Sequence, residues 1–154
     1  MGEGNVTEVF FYHLERRTLD DVLPPLLERS LKRGWRAVVQ AASNERVEAI
    51  NTMLWTYREE SFLPHGTARD GRPAEQPIYL TAGDDNPNGA QIRFLVDGAR
   101  LADPSSYIRV AYVFDGRDEV AVASARAAWQ EAKARGDAVS YWQLDEEGRW
   151  QQKA

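Results

Sequence analysis

Residues 35–42, WRAVVQAA, form a short apolar run of the length of a buried β-strand, with a helical pattern on each side. Leucines recur at helical spacing over 23–31, and apolar residues do so again over 47–54. VFFY at 9–12 is an earlier strand of the same kind. A β–α–β–α order within the first 55 residues predicts parallel strands joined by right-handed crossovers. We therefore expect the α/β class: a single three-layer α/β/α domain with a mainly parallel, mixed central sheet.

The sequence marks both ends of the first helix. Thr18 precedes Leu19-Asp20-Asp21, a capping sequence that predicts backbone N–H bonds to the Thr18 hydroxyl and acids at the helix N-terminus. Gly34 stands where a left-handed residue would end the helix. Pro24-Pro25 leaves two alternatives: the helix begins near Leu23, or its first turns are kinked where two amide donors are missing.

The remainder of the chain continues this architecture. One Ala-rich helix is predicted over 118–135, before Gly136, and four strands are predicted at 77–81 (PIYLT), 92–96, 107–114 (YIRVAYVF) and 139–144 (VSYWQL). Neither an internal repeat nor a low-complexity linker divides the sequence. Residues 1–154 are therefore predicted to be one domain, with an ordered core at 7–145 and frayed tails.

The composition limits the classes of function. The chain has 154 residues, no cysteine and a net charge of −5. Without cysteine there are no disulfides, thiolate nucleophiles or Cys-based metal sites, and we expect a reducing, cytoplasmic location. No apolar run reaches the ~20 residues of a bilayer span, and residues 1–7 lack the apolar core of a signal peptide. The acidic balance argues against strong binding to a phosphate backbone, so nucleic acid is expected to be met only indirectly.

Chemistry-bearing motifs are scarce. The segment after the first strand, residues 13–18 (HLERRT), contains no glycine, so a nucleotide-binding-like fold without a phosphate loop is expected. The two histidines have no metal-ligand spacing; His13 is predicted to end a strand and His65 to lie in a loop or interface. Gly83-Asp84-Asp85 leads into Asn-Pro-Asn-Gly and is predicted to be a solvated turn. We expect no cofactor, no metal and no catalytic residue.

A first aromatic cluster spans residues 54–66, LWTYREESFLPHG. These large side chains occupy a helix end and the polar loop after it. They either pack onto the sheet and cover its edge, or form a docking surface for a partner, since Trp, Tyr and Phe dominate interface hot spots.

A second pattern lies on the last predicted helix. Ala121, Ala125, Ala128 and Ala132 define a small-residue face suited to close packing on a sheet, with Val122 at its margin. Beside this face, one stripe at i, i+3, i+4 and i+7 carries Arg126, Trp129, Gln130 and Lys133. An apolar platform beside two cations fits a ligand with a carboxylate and an adjacent hydrophobic side chain. The alternative is a half-buried Trp129 beside solvated cations.

These segments carry a family resemblance. The matching pieces are Phe11-Tyr12, RGWR at 33–36, the L-W…E-S-F-x-P-H segment at 54–65, A-R-x-x-W at 125–129 and Y-W-Q at 141–143. In this order, and in a chain of this length, they resemble the chi subunit family of bacterial DNA polymerase III holoenzyme, part of its clamp-loader assembly. The resemblance implies a non-catalytic adaptor on a nucleotide-binding-like fold without a phosphate loop.

The resemblance implies two partners. Members bind the acidic C-terminal tail of single-stranded-DNA-binding protein, and their tail-binding Arg and aromatic match Arg126 and Trp129. A neighbouring lysine in relatives corresponds to Gln130, a departure that leaves two alternatives for this contact: Gln130 itself, or Lys133 on the same stripe. Val122 completes the expected tail site. Members also pair with the psi subunit, and in some cases with a helicase, through a surface here expected to include Trp55, Phe62, Pro64 and His65.

Two other functions remain open from the sequence. One is a nucleotide-binding enzyme on a Rossmann-like fold, and the other is a chi-like docking module for a DNA repair helicase. Direct DNA binding is a further hypothesis, for which the net charge of −5 predicts no detectable complex at physiological salt.

Overall fold

The computed structural model describes residues 6–57 and 63–154, and in this part of the chain eight strands form one sheet with helices on both faces. The elements are β1 Glu8–Leu14, α1 Leu19–Lys32, β2 Ala37–Gln40, α2 Asn44–Trp55, β3 Gly66–Thr67, β4 Ile78–Thr81, β5 Ile92–Leu95, β6 Arg109–Asp115, α3 Glu119–Arg135, β7 Ala138–Leu144 and β8 Trp150–Gln152. Two 3-10 turns, Ala68–Asp70 and Pro73–Glu75, follow β3.

The strand order is β3-β4-β2-β5-β6-β1-β7-β8, and every pair is parallel except β7–β8. The predicted α/β class with a mainly parallel, mixed sheet is therefore confirmed. The short β3 was not predicted. Residues 150–152 were predicted to fray, but they pair with β7 as the antiparallel β8, in a hairpin closed by Asp145. The prediction of a frayed tail was wrong because the turn after β7 brings residues 150–152 back alongside that strand, with which they pair.

The three helices cover the two faces unevenly. On one face, α1 packs mainly on β2 and β6, and α2 on β3 and β4; on the other, α3 packs on β1, β6 and β7. Two apolar cores result, one under α1 and α2 and one under α3. Each face thus has a part of the sheet that the described helices leave uncovered.

The first helix begins earlier than one of the two predicted alternatives placed it. It begins at Leu19, so a start near Leu23 is wrong, and Pro24 and Pro25 lie inside it. The Asp21 carboxylate accepts hydrogen bonds from the Thr18 backbone N–H at 2.9 Å and the Thr18 hydroxyl at 3.0 Å. Gly34, with φ +83°, ends the helix in the left-handed conformation that the sequence predicted.

Arg93 is fully buried in the centre of the sheet. Its guanidinium donates to Gln40 Oε1 from Nε at 3.0 Å and Nη2 at 2.8 Å. It also donates to the carbonyls of Gly83 and Asp85 and to the Tyr107 hydroxyl, at 2.7–2.9 Å. The turn at 83–85 is exposed to solvent, as predicted, while its backbone carbonyls accept from this cation and the Asp85 carboxylate accepts from the Tyr79 and Thr81 hydroxyls.

We expect Arg93→Met to lower the free energy of unfolding by about 3–5 kcal/mol, because it leaves several buried acceptors without a donor. Urea unfolding at neutral pH measures the change. Arg72→Met is the matched control, since the Arg72 side chain is 81% exposed and its loss should change stability by no more than about 0.5 kcal/mol. An Arg93→Met protein as stable as this control would contradict the prediction.

Asp21 makes the stability pH-dependent. The hydrogen bonds from the Thr18 backbone N–H and hydroxyl lower the pKa of the Asp21 carboxyl. A lowered folded-state pKa gives stability that is present above the unfolded pKa of about 4 and is lost as the pH falls through the folded value. Asp21→Ala should therefore cost about 1 kcal/mol at neutral pH and progressively less in acid. Urea unfolding of both proteins, from neutral pH to below the unfolded pKa, measures this difference in the free energy of unfolding. A difference that stays constant over that pH range would contradict the prediction.

Candidate functional site

The last helix lies close to the sheet because small residues form its inner face. Ala125, Ala128 and Ala132 are buried against the strands, as the sequence predicted. The Asp118 carboxylate caps the helix by accepting from the backbone N–H groups of Val120 and Ala121. This rigid placement fixes the side chains on the neighbouring stripe relative to the sheet.

A pocket of about 310 Å³ opens where this helix meets the edge of the sheet. Trp129 forms one wall and packs edge-to-face on Phe11, with ring centroids 5.3 Å apart, and on Tyr141 at 6.2 Å. The remaining lining is mostly apolar: His13, Phe114, Val122, Ala125 and Arg126. The volume is at the small end of ligand pockets, which favours a ligand that inserts one or two side chains.

Polar groups lie at one end of the pocket. His13 Nδ1 forms a hydrogen bond with the Tyr141 hydroxyl, and His13 Nε2 is 3.3 Å from a carboxylate oxygen of Glu15. Burial is the main cause that raises the pKa of the Tyr141 hydroxyl. His13, near the end of β1, thus holds a wall of the pocket in place.

Two cations flank the pocket. Arg126 lines it, and Lys133 Nζ lies 5.8 Å from the centroid of the Trp129 ring. Within the described residues no carboxylate is within 4.0 Å of either cation, whereas nearby Arg100 and Arg135 pair with Glu131 and Asp137 at 2.6 and 2.9 Å. An apolar hollow beside uncompensated cations can bind an anionic ligand that carries a hydrophobic group.

The structure brings most of the predicted stripe together. Val122, Arg126 and Trp129 line one pocket, and Lys133 stands against the Trp129 ring. Gln130 is exposed and is not part of the lining.

The strand side of the pocket, Phe11, His13, Phe114 and Tyr141, was not predicted as part of this site. The period-2 alternation of the first and last strands is the sequence signal that places Phe11, His13 and Tyr141 on one face.

The first aromatic cluster divides between the two alternatives. Leu54 and Leu63 are buried in the core, whereas Trp55 is 54% exposed. The Trp55 ring packs on His65 with centroids 4.4 Å apart, and His65 is held by its Nδ1, 2.6 Å from the Leu63 carbonyl. Pro64 is half-buried, and Phe62 lies outside the described residues. Trp55, Pro64 and His65 therefore form one surface at the end of α2.

A larger hollow, of about 570 Å³, lies at the carboxyl ends of β1, β5 and β6, where nucleotides bind in Rossmann-like folds. Two of the three arginines that line it are engaged in ion pairs: Arg46 pairs with Asp97 at 2.9 Å and Arg117 with Asp115 at 3.0 Å, whereas Arg17 makes no ion pair within the described residues. The loop from β1 to α1 has no glycine.

In the described part of the chain, no three His, Asp or Glu side chains are grouped to hold a metal ion. None of its helices has the length and apolarity of a membrane span.

The fold and the pocket define an α/β domain with a mostly parallel sheet, no glycine in the loop between its first strand and first helix, and an aromatic pocket on its last helix. The family model described as DNA polymerase III chi subunit, HolC, matches residues 6–140. The chain therefore belongs to the DNA polymerase III chi subunit family. A curated relative, the probable DNA polymerase III subunit chi of Rickettsia prowazekii (strain Madrid E), is 31% identical over 102 residues. That alignment covers 64% of this chain and 62% of the relative.

Gly116 is required by the close approach of His13. A Cβ at this position would overlap His13 Nε2. We expect Gly116→Ala to cost about 1–3 kcal/mol of stability, because the His13 ring is fixed by Tyr141 and Phe114.

Chemical unfolding of Gly116→Ala, His13→Ala and the double variant tests this cause. If the overlap is responsible, the double variant should be more stable than the sum of the two single changes predicts. Strict additivity would show that the two residues are not coupled.

Proposed function

We propose that this protein is a non-catalytic adaptor of DNA replication whose α3 pocket binds the acidic C-terminal tail of single-stranded-DNA-binding protein. Arg126 and Lys133 attract the acidic residues, and Trp129 with Val122 receives the terminal aromatic side chain. The observation that supports this most is the pairing of an apolar pocket with two cations that have no carboxylate partner among the described residues. Membership of the chi family supports it independently.

The physical chemistry of the pocket fits a tail that ends in an aromatic residue. Burying ~200 Å² of aromatic surface at ~25 cal/mol per Å² yields about 5 kcal/mol. Ordering a disordered tail costs a few kcal/mol, and the electrostatic attraction of the acidic residues offsets part of that cost. We expect low-micromolar binding that weakens as salt increases.

The surface of Trp55, Pro64 and His65 is proposed to bind a second partner, the psi subunit of the polymerase assembly or a helicase. An exposed tryptophan fixed against a buried histidine is typical of an interface anchor. It lies at the end of α2, whereas the pocket lies on α3, on the opposite face of the sheet. Two partners could therefore be held at once, as an adaptor requires.

The first test is titration of a labelled acidic peptide ending in Asp-Asp-Ile-Pro-Phe, with a copy that lacks the terminal Phe. Arg126→Ala should weaken binding by about 30-fold, equivalent to about 2 kcal/mol, without changing the fold. Lys133→Ala should weaken it less, and Gln130→Ala least, because Gln130 is outside the pocket.

Arg135→Ala is the matched control for the peptide titration. It removes the same charge from the same helix, but Arg135 is paired with Asp137 and does not line the pocket. If Arg126→Ala and Arg135→Ala lose the same amount of affinity for the peptide, the net charge of the helix and not the pocket is responsible. An unchanged affinity for Arg126→Ala would reject the site. Binding that is indifferent to the terminal Phe would reject the aromatic anchor.

A further inference from the structure

The face of the sheet opposite α3 has an uncovered part. There α1 and α2 pack mainly on β2, β3, β4 and β6, and the described helices cover β7 and β8, at the edge of the sheet beside β1, only partly. The side chains that these strands present on this face are largely aromatic: Phe10, Tyr12, Trp142 and Trp150. All except Tyr12 remain partly exposed.

These rings form a continuous series across the sheet. Phe10 stacks on Trp142, with centroids 5.4 Å apart and planes inclined by 23°, and Tyr12 contacts Trp150 at 4.6 Å. The guanidinium group of Arg109 extends the series at the Phe10 end. Arg109 lies 4.1 Å from the Phe10 centroid and 5.2 Å from that of Trp35.

Two hollows of about 160 and 450 Å³ run between these rings and α1, and they share Arg29, Trp142 and Trp150 as walls. We call them together the arginine–aromatic groove. Its charged lining consists of Arg17, Arg29, Arg33, Arg109 and Arg149, with Asp21 as the only acid among the described lining residues.

Three of these arginines form no close ion pair among the described residues, although Arg17 is near enough to Asp21 to help lower the pKa of its carboxyl. Arg109 pairs with Glu8, and Arg149 with Asp145 and Glu147. For Arg17, Arg29 and Arg33, by contrast, no carboxylate of the described chain lies within 4.0 Å. A chain with a net charge of −5 thus concentrates positive charge beside this group of rings.

We propose that the arginine–aromatic groove binds single-stranded nucleic acid. Partly exposed rings on an open sheet offer stacking platforms for unpaired bases, and the arginines along one wall neutralise the backbone phosphates. The expectation that nucleic acid is met only indirectly rested on net charge, and the local distribution of charge revises it. An acidic polypeptide would use the arginines but would leave the stacked rings without a planar partner.

The test is fluorescence anisotropy of a labelled oligothymidylate of about ten nucleotides, within the range of known single-strand site sizes. Titrations from about 50 to about 200 mM salt give the slope of log affinity against log salt. Arg29→Gln/Arg33→Gln should reduce the magnitude of this negative slope by about 1.4, the value for two lost phosphate contacts on a single strand. Trp150→Leu should weaken binding about fivefold or more through the lost stacking.

Arg69→Gln/Arg72→Gln is the matched control, because both side chains are at least 80% exposed and lie near the far edge of the sheet. The control should bind like the unmodified protein, and an excess of the acidic tail peptide should leave binding unchanged. No binding at low salt, an equal loss in the control, or displacement by the tail peptide would each overturn the proposal. Displacement by polyglutamate as readily as by unlabelled oligothymidylate would assign the groove to an acidic polypeptide instead.

Discussion

The buried guanidinium of Arg93 governs how the α3 side of the sheet is closed. There the helix covers β1, β6 and β7, while β5, β2 and β4 are covered by loops. Loops bring backbone carbonyls into a low-dielectric region, where an unpaired polar group is costly. Arg93 supplies N–H donors to two of these carbonyls, to Gln40 and to Tyr107, so one side chain joins β2, β5 and two loops. A cation stabilises the part of the face that the helix leaves uncovered.

The sheet has too few helices to cover it completely. This explains why both candidate surfaces, the α3 pocket and the arginine–aromatic groove, lie at the end of the sheet that contains β1, β7 and β8. Three helices cannot cover both faces of eight strands, and β7 and β8 at the edge are only partly buried. On one face, α3 reaches β7 and leaves a pocket beside Trp129. On the opposite face, the described helices leave Phe10, Trp142 and Trp150 partly exposed. The places where ligands could bind are those where the architecture stops short of complete burial.

The sequence predicted the architecture because strand and helix periods are local properties. It also predicted the stripe of Arg126 and Trp129, since both residues belong to a single helix. The opposite wall of the pocket depends on strand register: Phe11 meets Tyr141 only because β1 pairs in parallel with β7. Arg93 was missed for a related reason. Within an alternating strand an arginine predicts a solvent-facing position, and only the folding of the loops over it makes the position buried.

Alternation along the shared strands relates the two surfaces. Phe10 and Trp142 belong to the groove, while their sequence neighbours Phe11 and Tyr141 belong to the pocket on the other face. Ligands on the two faces are therefore separated by the thickness of the sheet and do not compete for space. The electrostatic interactions of the two faces are separated as well. Because salt screens interactions beyond about 8–10 Å, each ligand interacts mainly with the cations on its own face. A net negative charge is thus compatible with two anion-binding surfaces, since binding depends on the charges within a screening length.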